Sequence, residues 1–107
     1  MIFGVGTDII EVKRIEQSIE RFGQRFLDRI FSLEEQAYCL HHKESFTHFA
    51  GRFAAKEAIV KALGTGFRDG IGWLDIEVMN DIQGKPIARL SLRLNELFNA
   101  PHIHLSI

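Results

Sequence analysis

Cysteine is almost absent from this sequence of 107 residues, in which Cys39 is the single copy. One cysteine cannot form a disulfide within the chain, which is typical of proteins from a reducing compartment. We interpret Cys39 as a small core residue on a helix. The sequence also lacks a run of about 18 apolar residues, the length that a membrane helix needs. Its apolar start is interrupted by Asp8 and has no basic stretch typical of a signal peptide, so we expect a cytoplasmic protein.

An excess of either charge is also missing, because 13 lysines and arginines stand against 14 aspartates and glutamates. The resulting formal net charge of −1 argues against general electrostatic binding to nucleic acid. The hydrophobic share of 46% and the charged share of 25% are ordinary for a globular protein. We therefore predict one domain over residues 1–107 with a core of modest size.

Hydrophobic periodicity predicts an α+β fold, with a small antiparallel sheet packed on one long helix. The predicted helices span 11–22, 24–31, 33–42, 44–63 and 91–99. The predicted strands span 2–10, 74–80 and 86–90, and another begins near 102. Ser32 and Glu35 have the spacing of a capping box, and Gly64 is predicted to end the long helix.

One acid stands out in the stretch RFAAKEA at 52–58. At about 100° per residue, Glu57 is predicted in the middle of an apolar arc that includes Phe46 and Phe53. An unpaired buried carboxylate costs several kcal/mol or becomes protonated. Its compensating partner is therefore Lys61 one turn on, a basic group elsewhere, or a metal ion. The opposite side of the helix is also apolar, which favours burial against a partner subunit.

Cations and glycines near this acid suggest an anion site. Arg52, Lys56 and Lys61 lie along one predicted helix, and the glycine-rich loop GTGFRDGIG follows it. Arginine, lysine and glycine-rich backbone all bind phosphate, although the spacing matches no Walker motif. Asp8 lies on a strand face that two glycines leave bare. Asp8 and Glu57 together would offer two hard oxygen ligands, which suit Mg²⁺.

Four segments of the chain resemble one known family. They are GVGTDIIEVKRI at 4–15, FAGRFAAKEAIVKALGTG at 49–66, GKP at 84–86 and HLSI at 104–107. They are similar to the holo-(acyl-carrier-protein) synthases of the 4′-phosphopantetheinyl transferase superfamily. The resemblance implies the fold of that superfamily and transfer of 4′-phosphopantetheine from coenzyme A to a serine of apo-acyl-carrier protein. It also implies release of adenosine 3′,5′-bisphosphate, a homotrimer and a role in fatty acid biosynthesis.

The resemblance also assigns roles to residues. Asp8 and Glu57 match the family's Mg²⁺ ligands, and Lys61 matches the lysine that contacts the pyrophosphate. Arg52 matches an arginine near the 3′-phosphate of coenzyme A. The loop beside the coenzyme is matched by Gly64, Thr65 and Gly66. The helix that binds the acidic carrier protein is matched at Arg14, and its basic side is extended by Arg21 and Arg25.

The sequence leaves three points open. The general base for the serine is Asp8, Glu57 or a metal-bound water, and we favour an activated water because a carboxylate shared with Mg²⁺ is a poorer base. Family members continue after HLSI with a histidine and a closing strand, so we expect the C-terminal strand to be missing from this chain. The alternative functions are another Mg²⁺-dependent phosphate-handling enzyme and a non-catalytic oligomeric domain.

Overall fold

The computed structural model describes residues 12–64, 71–101, 103 and 105. The predicted strand over 2–10, including Asp8, lies outside these residues, as do Thr65, Gly66 and most of the final predicted strand. The described helices are α1 (Val12–Phe22), α2 (Gln24–Ile30), α3 (Leu33–His41), α4 (Ser45–Ala62) and α5 (Leu92–Leu97). The described strands are β1 (Ile76–Asn80) and β2 (Pro86–Leu90), with a 3-10 helix (Trp73–Asp75) before β1. The predicted α+β class is therefore confirmed.

The two strands form an antiparallel hairpin in which Ile76 pairs with Leu90 and Asn80 pairs with Pro86. The predicted hairpin and its turn are thus confirmed. Gly84 occupies the turn with a φ of 85°, a left-handed conformation that glycine adopts without steric cost. The alternation of β1 puts Ile76 and Val78 on its inner face, where both are fully buried.

The start of the first described strand was predicted wrongly. Residues 73–75 form a 3-10 helix rather than extended strand. The carboxylate of Asp75 accepts hydrogen bonds from the backbone N–H of Gly72 at 2.9 Å and the hydroxyl of Ser91 at 2.8 Å. A short acid that bonds to nearby backbone favours a turn over a strand, and Leu74 consequently stays 55% exposed.

Helix α4 runs through both parts of the hydrophobic core. Its N-terminal half packs with α1, α2 and α3 around Phe31 and Phe49, whose ring centroids are 4.9 Å apart. Its C-terminal half packs against the hairpin and α5 around Ile59 and Val60. The long central helix was predicted, and two of its buried residues are the cations Arg52 and Lys56.

Local sequence signals correctly predicted two helix boundaries. The hydroxyl of Ser32 accepts from the N–H of Glu35, and the carboxylate of Glu35 accepts from the N–H of Ser32, which completes the capping box at α3. Gly64 follows α4 with a φ of 82°, the left-handed geometry that commonly ends a helix. Across the described residues, no helix combines the length and the apolar character needed to cross a membrane.

Candidate active site

Helix α4 carries four of the predicted site residues, but it does not turn Glu57 toward the middle of the core. Glu57 is half-buried, whereas its neighbour Lys56 has no exposed side-chain area. Consecutive residues are about 100° apart around a helix, so the buried face is centred near Lys56 and Glu57 lies at its edge. The prediction that Glu57 lies at the centre of the buried face was wrong. A helical wheel that counts only apolar residues leaves out Lys56, which is buried because it forms an ion pair.

Lys56 forms that ion pair with Glu35 of α3. The Lys56 ammonium lies 2.6 Å from Glu35 Oε1, and neither side chain is exposed. It also donates to the carbonyl oxygens of Ile30 at 2.6 Å and Trp73 at 3.3 Å. A lysine ammonium has three N–H donors, so these three acceptors use all of them. The structure therefore gives Lys56 a role in the core that differs from the predicted phosphate contact.

Glu35 is satisfied on both of its carboxylate oxygens. Oε1 accepts from the backbone N–H of Ser32 at 2.9 Å as well as from Lys56, and Oε2 accepts from the backbone N–H of Val78 at 2.8 Å. One carboxylate thereby joins α3, α4 and β1. Burial lowers the pKa of Lys56, while the charge of Glu35 and its hydrogen bond act in the opposite direction.

Arg52 is the second buried cation on α4, with 4% of its surface exposed. Its guanidinium carbon lies 4.1 Å from the ring centroid of Tyr38, and one terminal nitrogen donates to the side-chain oxygen of Asn80. Its Nε is buried and has no hydrogen-bond partner among the described residues. Within the same residues, no carboxylate forms an ion pair with Arg52. A buried charge requires compensation, so this guanidinium suits an anionic ligand.

Lys61 follows Glu57 by one helical turn and is exposed near the end of α4. Residues four apart lie on the same side of a helix, so the acid and the ammonium face the same region. Gly64 ends the helix just beyond them. The C-terminal end of α4 thus offers one half-buried carboxylate and one exposed ammonium beside the loop that was predicted to contact the coenzyme.

In the described part of the chain, Glu57 is the residue that would bind a metal ion. Its carboxylate is a hard oxygen donor of the kind that Mg²⁺ prefers. Between residues 12 and 64 and from 71 on, the described histidine, cysteine, aspartate and glutamate side chains form no group of three suited to a metal ion. Asp8 lies outside the described residues, so the pairing of Asp8 with Glu57 stays a prediction.

The predicted carrier-protein surface lies on the first two helices. Arg14 and Arg21 are exposed on α1, and Arg25 is exposed on α2. Arg14 and Arg21 are seven residues apart, which is close to two full turns, so they share one side of α1. The Arg21 guanidinium carbon lies 5.1 Å from the ring centroid of Phe22, which is itself 54% exposed. This basic and partly aromatic surface is available to an acidic partner.

Sequence reasoning missed the contacts of Arg52 with the half-buried residues Tyr38 and Asn80. It also missed the core role of Glu35. The capping-box spacing identified Glu35, but only as a local partner of Ser32. Nothing in the spacing around Tyr38 or Asn80 indicated a contact with Arg52, because these residues are 14 and 28 positions away from it along the chain.

Comparison with known proteins gives a consistent result. Residues 4–105 match the 4′-phosphopantetheinyl transferase superfamily. The holo-(acyl-carrier-protein) synthase of Protochlamydia amoebophila is 55% identical over 107 residues, which are 100% of this chain and 88% of that protein. The crystal structure of the Neisseria meningitidis synthase matches with a TM-score of 0.84 and 38% identity, over 92% of this chain and 79% of that one.

A third similar protein was solved with a ligand. The holo-(acyl-carrier-protein) synthase of Bacillus anthracis, in complex with CoA (3′,5′-ADP), matches with a TM-score of 0.76 and 45% identity. The match covers 85% of this chain and 77% of that one. The family match over residues 4–105 and the Protochlamydia match over the whole chain both include all of α4. The chain belongs to the 4′-phosphopantetheinyl transferase superfamily and, within it, to the holo-(acyl-carrier-protein) synthases.

Proposed function

We propose that this chain transfers 4′-phosphopantetheine from coenzyme A to a serine of apo-acyl-carrier protein, that the transfer depends on Mg²⁺, and that adenosine 3′,5′-bisphosphate is released. The observation that carries the proposal is the arrangement of α4 in a member of this family. One helix holds a buried guanidinium without a carboxylate partner among the described residues (Arg52), a half-buried carboxylate (Glu57) and an exposed ammonium (Lys61).

Each of these groups matches a part of coenzyme A. Arg52 supplies a forked cation for the 3′-phosphate, since guanidinium binds phosphate with directed N–H donors. Lys61 supplies a mobile point charge for the pyrophosphate. Glu57 supplies a metal ligand together with Asp8, and Gly64 begins the loop that continues through Thr65 and Gly66 beside the coenzyme. Lys56 holds α4 in place through Glu35.

The reaction is a phosphoryl-type transfer to an alcohol. The serine oxygen forms a new bond to the phosphorus that carries the pantetheine, and the bond from that phosphorus to the bridging oxygen of the pyrophosphate breaks. The serine proton passes to an activated water or a carboxylate, and the leaving group is adenosine 3′,5′-bisphosphate. Mg²⁺ would act as Lewis acid and template for the pyrophosphate. Lys61 stabilises the negative charge that develops on the leaving phosphate.

The two macromolecular contacts of the proposal use other surfaces. Acidic carrier protein binds the basic side formed by Arg14, Arg21 and Arg25, where complementary charge speeds encounter. A homotrimer covers the remaining apolar surface of α4 and completes each site at a subunit interface. The protein acts in the cytoplasm, where coenzyme A and the carrier protein of fatty acid biosynthesis are found.

The test is a transfer assay in which apo-acyl-carrier protein, coenzyme A and Mg²⁺ are incubated with the chain. We expect the carrier protein to gain the mass of one phosphopantetheine group, and a chelator to prevent that gain. Glu57→Ala is expected to lose activity, while Glu96→Ala, which changes an exposed carboxylate on α5, is the matched control. Transfer that continues undiminished in Glu57→Ala contradicts the site, and consumption of coenzyme A without carrier protein favours another phosphate-handling enzyme.

A further inference from the structure

The guanidinium of Arg52 is held by side chains from two other elements. Tyr38 of α3 presents its ring face at 4.1 Å from the guanidinium carbon, within the range of cation–π and stacking contacts. Asn80, the last residue of β1, accepts a hydrogen bond from a terminal nitrogen of Arg52. A stacked face fixes the plane of the guanidinium and a hydrogen bond fixes its rotation, so the two contacts together define its orientation.

Both of these neighbours are themselves held in place. The amide nitrogen of Asn80 donates to the carbonyl oxygen of Gly84 at 3.0 Å, which links Arg52 to the hairpin turn. The ring of Tyr38 lies 4.5 Å from the ring of His42 and 5.7 Å from that of His48, measured between centroids. The contacts to Arg52 therefore connect α3, α4 and the hairpin.

The neighbouring imidazole adds little charge near Arg52. Burial, followed by the charges of His42 and Arg52, lowers the pKa of His48, and Glu44 opposes this only in part. Because the lowered pKa favours the neutral form of His48, the positive charge at this place comes from Arg52. The buried Nε has no hydrogen-bond partner among the described residues, so these neighbours leave one donor of the guanidinium unsatisfied.

We propose that Tyr38 and Asn80 are positioning residues that fix the Arg52 guanidinium in the orientation that binds the 3′-phosphate of coenzyme A. The inference rests on the proposed function and extends it to two residues that do not themselves touch the reacting atoms. A preorganised arginine loses less conformational entropy when the phosphate binds, which strengthens binding. Substitution of either residue therefore weakens selectively those ligands that carry a 3′-phosphate.

The experiment compares calorimetric binding of adenosine 3′,5′-bisphosphate and adenosine 5′-monophosphate, which lacks the 3′-phosphate. The wild-type chain is expected to prefer the bisphosphate. Tyr38→Leu is expected to weaken bisphosphate binding by about five- to thirty-fold, the range of a desolvated cation–π contact, and to leave monophosphate binding unchanged. Tyr38→Phe, which keeps the ring face, is expected to bind both ligands as the wild type does.

A second pair of variants covers the case in which Tyr38→Leu does not fold. Asn80→Ala removes the acceptor for Arg52 and is expected to lose the same preference, while Asn80→Gln keeps a neutral amide acceptor and is expected to retain it. Equal weakening of both ligands shows a merely structural role and overturns the proposal, as does a wild-type chain without preference. The transfer assay of the wild type decides the proposed function separately, because the binding comparison needs no turnover.

Discussion

The ammonium of Lys56 lies 2.6 Å from a carboxylate oxygen of Glu35, and both side chains are completely buried. This ion pair connects α4, which carries the candidate site, to α3. Glu35 extends the connection to β1 through the backbone N–H of Val78. The pair thus fixes the helix that positions Arg52, Glu57 and Lys61 relative to the hairpin.

The first prediction concerns the stability of this pair. Glu35→Gln leaves Lys56 as a buried charge without a counter-charge, so we expect the free energy of unfolding to fall by about 3–5 kcal/mol. Chemical unfolding in urea, followed by circular dichroism, measures the change. A loss smaller than that of an ordinary surface substitution would show that the pair does not hold α4.

A double variant separates the ion pair from general damage. Glu35→Gln combined with Lys56→Met removes both charges, so its loss is expected to be smaller than the sum of the two single losses by about 1–3 kcal/mol. Additive losses would contradict a direct interaction between the two side chains.

The second prediction concerns acid stability through Asp75. Burial tends to raise the pKa of Asp75, but hydrogen bonds from the Gly72 N–H, the Ser91 hydroxyl and Arg93 outweigh it and lower the pKa below the ordinary 3.8. The unfolded chain then binds more protons than the folded one in the window below 3.8. Stability is therefore complete above that pH and is lost as the pH falls through the folded pKa.

Asp75→Asn tests this dependence because it keeps the size of the side chain and removes its charge. Its free energy of unfolding, measured between pH 2 and pH 5, is expected to fall less steeply with acid than that of the wild type. Parallel pH profiles would exclude Asp75 as a source of acid sensitivity.

The third prediction concerns the thiol of Cys39. Burial raises its pKa from 9.0 to about 12, and the charge of Glu35 adds to the effect, while Arg52 and Lys56 oppose it. Because the thiolate is the nucleophile, native Cys39 should resist iodoacetamide at pH 8 and react only after unfolding. Mass spectrometry of the native and the urea-unfolded chain measures the difference, and rapid native alkylation would contradict the assigned burial.

The same thiol affects stability in base. Between pH 9 and about 12, the unfolded thiol ionises while the folded one keeps its proton, so the free energy of unfolding falls as the pH rises. Cys39→Ala removes this contribution and is expected to show a flatter profile over that range. An unchanged slope in the variant would exclude Cys39 as its source.

The fourth prediction concerns the basic side of α1. Arg14→Glu and Arg21→Glu reverse exposed charges and are expected to lower kcat/KM for acidic carrier protein, with little change in the affinity for coenzyme A. Arg14→Lys and Arg21→Lys keep the charge and serve as matched controls. If charge reversal changes neither kcat/KM nor its dependence on salt, the carrier protein binds elsewhere.

Local chemistry made much of the fold predictable. Ser32 with Glu35 and the left-handed Gly64 fix helix boundaries through nearby contacts, which a sequence displays directly. Asp75 shows the limit of this reasoning. Its bond to the Gly72 N–H is local and favours a turn, whereas its bond to Ser91 joins residues 16 positions apart and has no signal in the sequence.

The candidate site was predictable to a smaller extent. Family motifs identified Arg52, Glu57 and Lys61, but not the orientation of α4. That orientation depends on Lys56, which was predicted as a phosphate-binding cation and is instead buried against Glu35, 21 positions earlier. A buried ion pair between distant residues leaves no periodic signal, so only the folded structure separates Lys56 from its neighbours.

Calorimetric titration of the chain with coenzyme A, with and without Mg²⁺, tests the central claim most directly. We expect the affinity to rise with Mg²⁺, and this rise to be lost in Glu57→Ala but kept in Glu96→Ala. Equal affinity with and without Mg²⁺, or a full Mg²⁺ effect in Glu57→Ala, would contradict the account of α4 as one wall of a metal and phosphate site.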